Sequence, residues 1–257
     1  MTRKILWINP LGTDVFDAEI NKNLNSGKMP DTVVNVVSLH RGPEHLEYHY
    51  YEALILTDTL HLIKKAEKED YDAAVIGCFY DPGLREAREI TSRLTVTAPA
   101  EACMHIASTL GDSFSVIVGR QKWIPMMREN AGNYGFREKL ASFKSVELGV
   151  HDFQEDISVT KKALINAAKE AVEKDGAEVI ILGCGILFNF YKELQKDLGV
   201  PVIDAILAPL KFAEFLVEIN RNFGWLHSKK YGFETPPASE IKGWNLAHQY
   251  GFSDIWK

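Results

Sequence analysis

The 257-residue chain is 46% hydrophobic and 25% charged, with a formal net charge of −6. These are ordinary globular values, and the length allows one large core or two small ones. No basic block offsets the acidic balance, which argues against a non-specific nucleic-acid binder, and no run approaches the ~20 apolar residues of a membrane span.

The start, MTRKILWINP, runs straight into an apolar strand rather than a secretory signal. A cytoplasmic chain is therefore expected, one whose three cysteines stay thiols. KILWINP reads as a strand and LGTDVFD as a polar loop; TVVNVVSL is a second strand and ALILTDTLHLIKKAEKE a helix. KKAEKED, at its end, mixes signs as a solvated helix terminus does. AAVIGC is a strand, and PGLREAREITSRL a helix that Pro82 can open at its first turn. The second half repeats this order: strands FSVIVG and SVELGV, a long helix near SVTKKALINAAKEAVEKDG, strand EVIILGC, a helix, and VPVID. Such alternation predicts an α/β fold of mostly parallel sheets flanked by helices.

Three matches recur in the same order. DAAVIGC pairs with AEVIILGC, placing Cys184 106 positions after Cys78; ILWINPLGT pairs with FSVIVGRQK; LTVTAPAEA pairs with LGVPVIDAI, each with an acid, Glu101 or Asp204. An internal duplication is implied. The expected result is two pseudo-symmetric lobes, 1–97 plus 207–257 carrying Cys78 and 98–206 carrying Cys184, with the active site in the cleft between them.

Ligands of open α/β sheets gather beyond the carboxyl ends of the strands, where both cysteines sit. A cysteine just before a helix is expected to feel the positive end of its dipole, and the preceding Gly77 and Gly183 to admit a ligand to the backbone. Two cysteines facing one carbon suit stereoinversion: a thiolate removes a proton from one face and a thiol returns one to the other. A carbon acid beside a carbonyl leaves an enolate, which the N–H groups after each cysteine can hold. The alternative is that each is a small core hydrophobe. That reading applies to Cys103, in the helical EACMHIA.

Beyond this chemistry, the residues resemble a known family, the hydantoin/allantoin racemases of the Asp/Glu/hydantoin racemase superfamily, over nearly the whole length. INP (8–10), RGPEHLEYHYYEA (41–53), GCFYDPGLREARE (77–89), LGCG (182–185), LGVPVIDA (198–205) and SKKYGFETPP (228–237) carry the resemblance, the third most specifically. It implies Cys78 and Cys184 as catalytic acid and base without metal or cofactor, a small-molecule substrate, and a homo-oligomer. The chain departs from the family pattern at Leu11, where Asn is usual, at Tyr80, where Gly is usual, in GCGIL (183–187), and at Val118, Gly119 and Arg120, where Thr-rich sequence is common. The expected substrate-binding residues are Asn9, Leu46, Phe79, Tyr80, Val118, Gly119, Arg120, Gly185 and Ile186, with Glu47 beside Leu46. Arg120 could pair with a carboxylate, ureido carbonyl or phosphate or stand exposed at its strand end, Asn9 could bind substrate or cap the loop that follows, and Phe79 with Tyr80 could wall a planar ring or be core.

His45 and His49 stand four apart, but the HExxH order is missing, and a surface or substrate-loop role is preferred to zinc. Walker, GxGxxG and GxSxG motifs do not occur. The aromatic segment from Lys230 to Lys257 is expected to be an arm over a neighbour or the cleft rather than a free tail. Together these observations point to a cofactor-independent two-cysteine racemase of a 5-substituted hydantoin or allantoin. The alternatives are a racemase or isomerase of a free or N-carbamoyl amino acid, and a non-catalytic small-molecule binding protein.

Overall fold

A computed structural model describes residues 2–252. The chain divides into two compact units: Met1–Ile76 with Pro82–Thr97 and Lys211–Lys257, and Gly77–Asp81 with Ala98–Leu210.

The first unit holds β1 (Arg3–Asn9), α1 (Asp17–Gly27), β2 (Thr32–Ser38), α2 (His49–Lys68), β3 (Ala73–Ile76), α3 (Leu84–Ile90) and β4 (Thr95–Thr97). Its four strands lie in the order β2-β1-β3-β4, every pair parallel. The second unit holds α4 (Pro99–Leu110), β5 (Phe114–Val118), α5 (Ile124–Asn133), β6 (Leu140–Ser145), α6 (Asp152–Glu155), α7 (Ile157–Asp175), β7 (Val179–Leu182), α8 (Tyr191–Leu198) and β8 (Val202–Ile203). Its strand order, β6-β5-β7-β8, also all parallel, repeats that of the first sheet with every number advanced by four. The chain ends in α9 (Leu207–Phe223), α10 (Ala238–Gly243) and α11 (Leu246–Gln249).

Strands covered on both faces read as continuous apolar runs. Every residue of β3 (AAVI) and β7 (VIIL) is buried, and these are the strands that lead to the two cysteines. In β1, Ile5, Trp7 and Ile8 are at most 1% exposed. At ~1.5–3 kcal/mol for each large apolar side chain removed from water, these short strands anchor the two sheets.

Two local expectations are corrected. Helix α3 begins at Leu84, with Gly83 at φ 70° before it, so Pro82 lies outside the first turn. The strand expected at SVELGV is instead Leu140–Ser145; beyond Ser145 its partner β5 has ended, and Val146 and Leu148 donate to the carbonyls of Val118 and Gly119 as a loop. After the expected LGTDVFD loop comes the 11-residue α1, where Ile20, Asn23 and Leu24 make the buried face.

The grouping also differs from the sequence-based division at 207–210 and at Gly77–Asp81: both belong to the second unit, so Cys78 leaves the first, to which β3 belongs. The hydrogen bonds of Gly77–Asp81 explain its place, because they end on Ala100, Glu101, Asn130 and Tyr134.

The C-terminal segment packs on the first unit as far as it is described. Lys229 Nζ donates to the Arg88 carbonyl, Thr235 Oγ1 to that of Glu89 at 2.8 Å, and Phe252 lies against His61 with ring centroids 4.2 Å apart. The end of the expected arm, 253–257, lies outside the described residues.

Candidate active site

Cys78 stands two residues beyond the end of β3 and Cys184 two beyond the end of β7. Both are half-buried thiols of the second unit. Each opens a tight turn: Asp81 N–H donates to the Cys78 carbonyl at 2.9 Å, and Leu187 N–H to the Cys184 carbonyl at 3.1 Å. The third residue of each turn is tied down by a side-chain amide. Asn130 Nδ2 donates to the Tyr80 carbonyl at 2.8 Å, and Gln154 Nε2 to the Ile186 carbonyl at 2.7 Å. Among the described residues, nothing accepts from the N–H groups of Phe79 and Gly185, the residues that follow the two cysteines.

The turns displace the helices. Helix α3 starts six residues after Cys78 and α8 seven after Cys184. A helix dipole acts within about one turn of its end, so neither cysteine is activated by the helix that follows it.

The two turns are neighbours. A Cβ built on Gly185 would stand 4.0 Å from the Gly77 carbonyl oxygen and 4.0 Å from Ile206 Cγ1. Gly183 has a different reason for being glycine than ligand access. Its Cβ would meet Val116 Cγ1 at 2.8 Å and the Ile117 carbonyl at 3.0 Å, and its N–H donates to that carbonyl at 2.8 Å. The chain's own β5 occupies the space.

Of the other expected site residues, Phe79, Tyr80, Val118, Gly119, Arg120 and Ile186 fall in the same unit as the cysteines. Phe79 and Tyr80 are 3% and 8% exposed, so both rings are buried. Val118 is wholly buried, its Cγ1 3.2 Å from the Cβ position of Gly183. Gly119 is packed by Trp123 and the Leu148 carbonyl, both 2.4 Å from a Cβ there, and a short 3-10 turn, Gln121–Trp123, follows the half-buried Arg120. Asn9 and Leu46 belong to the first unit. Asn9 closes β1, buried, its amide nitrogen donating to Asp17 Oδ1 and Ser38 Oγ at 3.0 Å each; Leu46 and Glu47 are buried ahead of α2. His45 lies in that loop while His49 starts α2, so the two histidines share no helix face. Among the described residues, no group of three or more His, Cys, Asp or Glu is arranged to hold a metal ion.

Sequence reasoning missed Asp81, Asn130, Tyr134 and Gln154. Asp81 is 6% exposed, with φ 51°. Its Oδ1 accepts from Ala100 N–H, and its Oδ2 from Glu101 N–H and Tyr134 Oη, all at 2.8 Å. Burial, with a smaller push from Glu101, raises its carboxyl to about 7 against the pull of those three donors. Asp204 is likewise raised by burial while accepting from the N–H groups of Ile206 and Leu207 at the start of α9. Cys103 is core, as expected: it is fully buried with Sγ 3.9 Å from the Asp204 carbonyl, and burial pushes its thiol up, with Asp204 and Asp81 adding to the shift.

The doubled sheet and the paired cysteine turns define a class, and comparison places the chain in it. The Asp/Glu/hydantoin racemase family profile matches residues 5–213. A hydantoin racemase of Pseudomonas sp. (strain NS671) is 37% identical over 228 residues, 89% of this chain and 91% of that protein. A hydantoin racemase of Paenarthrobacter aurescens is 35% identical over 92% of this chain and 99% of that one. Among solved structures, the allantoin racemase from Klebsiella pneumoniae matches with a TM-score of 0.85 and 28% identity, covering 92% of this chain and 94% of that chain. The chain belongs to the Asp/Glu/hydantoin racemase family and is an isomerase of the racemase class.

Proposed function

We propose that the chain inverts the stereocentre of a 5-substituted hydantoin or of allantoin by two-base proton transfer between Cys78 and Cys184. One cysteine, as thiolate, takes the proton from the carbon beside the carbonyl. The carbon–hydrogen electron pair moves into an enolate, and the thiol of the other cysteine delivers a proton to the opposite face. The reverse reaction exchanges the roles. The observation that carries this reading is the adjacency of the two turns, with only 4.0 Å from the Cβ position of Gly185 to the Gly77 carbonyl oxygen. The N–H groups of Phe79 and Gly185 are suited to stabilise the enolate oxygen, a contribution of about 3 kcal/mol per donor. Hydantoin and allantoin racemases among the relatives support a cyclic ureide, the hydantoin ring, as substrate.

The test uses each enantiomer of 5-benzylhydantoin and of allantoin in D2O, following loss of the stereocentre proton by NMR and inversion by polarimetry. The wild-type protein is expected to do both, with deuterium entering the inverted product. Cys78→Ser and Cys184→Ser are each expected to abolish inversion. Full inversion in either single variant would overturn the two-base assignment, and turnover of N-carbamoyl amino acids alone would overturn the substrate.

A further inference from the structure

We infer that Asp81 is a positioning residue for Cys78: its carboxylate fastens the Cys78–Asp81 turn to the start of α4 and to Tyr134, and so fixes where the Cys78 thiol stands. The inference rests on the two-base reading above and extends it to a residue outside the reacting pair.

The geometry distinguishes this from ordinary helix capping. Helix α4 begins at Pro99 after Ala98, whose side chain cannot cap it. In the second sheet the matching place, after β8 and before α9, is held by Asp204, which serves its own helix start from a position two and three residues away. For α4 that service comes from Asp81, 19 and 20 residues earlier, three residues past Cys78. The backbone of Asp81 is left-handed at φ 51°, a conformation that costs a non-glycine residue about 1–2 kcal/mol and persists where the surroundings over-determine it. Here three donors to one carboxylate do so, together with the Asp81 N–H bond to the Cys78 carbonyl and the Asn130 bond to the Tyr80 carbonyl. Moving the carboxylate therefore moves the turn, and with it the thiol. The titratable groups around it, Glu101, Tyr134 and Cys103, are all in the same unit.

Displacement of one sulfur has a signature that general loosening lacks. When Cys78 is out of place, Cys184 still removes the proton from one enantiomer and returns deuterium to the same face. That enantiomer exchanges without inverting, while the other, which needs Cys78 as base, does neither. The experiment measures exchange and inversion from each enantiomer of 5-benzylhydantoin for wild type, Asp81→Asn and Tyr134→Phe. Asp81→Asn, which cannot accept three hydrogen bonds in the same arrangement, is expected to lose at least tenfold in kcat for inversion with KM changed less, and to show the one-sided exchange. Tyr134→Phe keeps both α4 bonds and is expected to show the same asymmetry at a severalfold loss, so the inference stays testable if Asp81→Asn folds poorly. Inversion at the wild-type rate in both variants, or equal loss of exchange from both enantiomers, would overturn it. A wild-type protein that neither exchanges nor inverts would instead overturn the racemase reading itself, and this inference with it.

Discussion

The two cysteine turns are built alike up to their last residue and then diverge. Each follows a four-residue buried strand, closes with an N–H bond to the cysteine carbonyl, and has its third carbonyl held by an amide side chain, Asn130 in one and Gln154 in the other. The fourth residue is Asp81 in the first turn and Leu187 in the second, 6% and 1% exposed. One turn is thus fastened by a buried carboxylate with three donors, the other by apolar packing of Leu187, Phe188 and Phe190. Duplication accounts for the likeness. Under the two-base reading, a symmetric reaction would not require symmetric support, because only the sulfur positions would enter the proton transfers.

Under the two-base reading, the largest expected effect comes from replacing the two sulfurs. Acid–base groups contribute about 10²–10⁴-fold, so each cysteine-to-serine variant should lose inversion by at least that factor, and each should leave exchange alive in a different enantiomer. Exchange surviving in the same enantiomer for both variants would show that the sulfurs do not act from opposite faces.

Titration separates the turns next, since Leu187 has no proton to lose. The Asp81 carboxyl titrates near 7 in the fold against about 3.9 when unfolded. The folded form therefore binds more protons between those values, and the stability this lends is complete below about pH 4 and lost as pH rises through about 7. The difference in unfolding free energy between wild type and Asp81→Asn, measured by urea titration across pH 4–8, should shift against wild type by a few kcal/mol. A flat difference would show that Asp81 is ionised throughout.

Sheet packing beneath the second turn is tested at Gly183. A methyl there meets Val116 Cγ1 at 2.8 Å and the Ile117 carbonyl at 3.0 Å, and backbone cannot yield cheaply. Gly183→Ala should cost about 1–3 kcal/mol, as overpacking does, seen as a lowered Tm. Removing the matched amides, Asn130→Ala and Gln154→Ala, should each slow inversion about tenfold, with one-sided exchange favouring opposite enantiomers. The same enantiomer in both variants would mean that the amides stabilise the unit as a whole rather than one turn each.

How much of this was legible in the chain follows from the range of the interactions. The strands and the two cysteines at their ends were readable, because AAVI and VIIL are apolar runs stopped by Gly-Cys, a purely local pattern. The repeated strand order follows from the doubled motif. SVELGV has strand-like residues, but β5 stops at Val118, so only Val146 and Leu148 find carbonyls beyond the ladder, those of Val118 and Gly119. Gly183 depends on distant atoms too, since those that fill its missing side chain belong to β5. Asp81 sat in plain view within FYDPGL, yet its partners lie 19, 20 and 53 residues away, and nothing local announces them. Pro82 suits the first turn of a helix, yet the Cys78 turn and Gly83 intervene before α3 begins.

The smallest expected effect on stability is the most informative about the space between the turns. At Gly185 a Cβ finds only the Gly77 carbonyl and Ile206 Cγ1, each at 4.0 Å, which is ordinary contact. Its φ, unlike those of Gly83 or Gly176, is not in the left-handed range, so alanine is compatible with the backbone. Gly185→Ala should therefore change stability by less than about 0.5 kcal/mol, and replacing glycine where the backbone allows it can even stabilise slightly. The added methyl stands where the two cysteine turns approach. Under the two-base reading, kcat/KM for 5-benzylhydantoin should fall more than that for the unbranched 5-methyl compound, while Tm stays fixed. Equal values for both substrates would place the 5-substituent away from the Gly77–Gly185 approach and leave the two turns framing the reacting carbon alone.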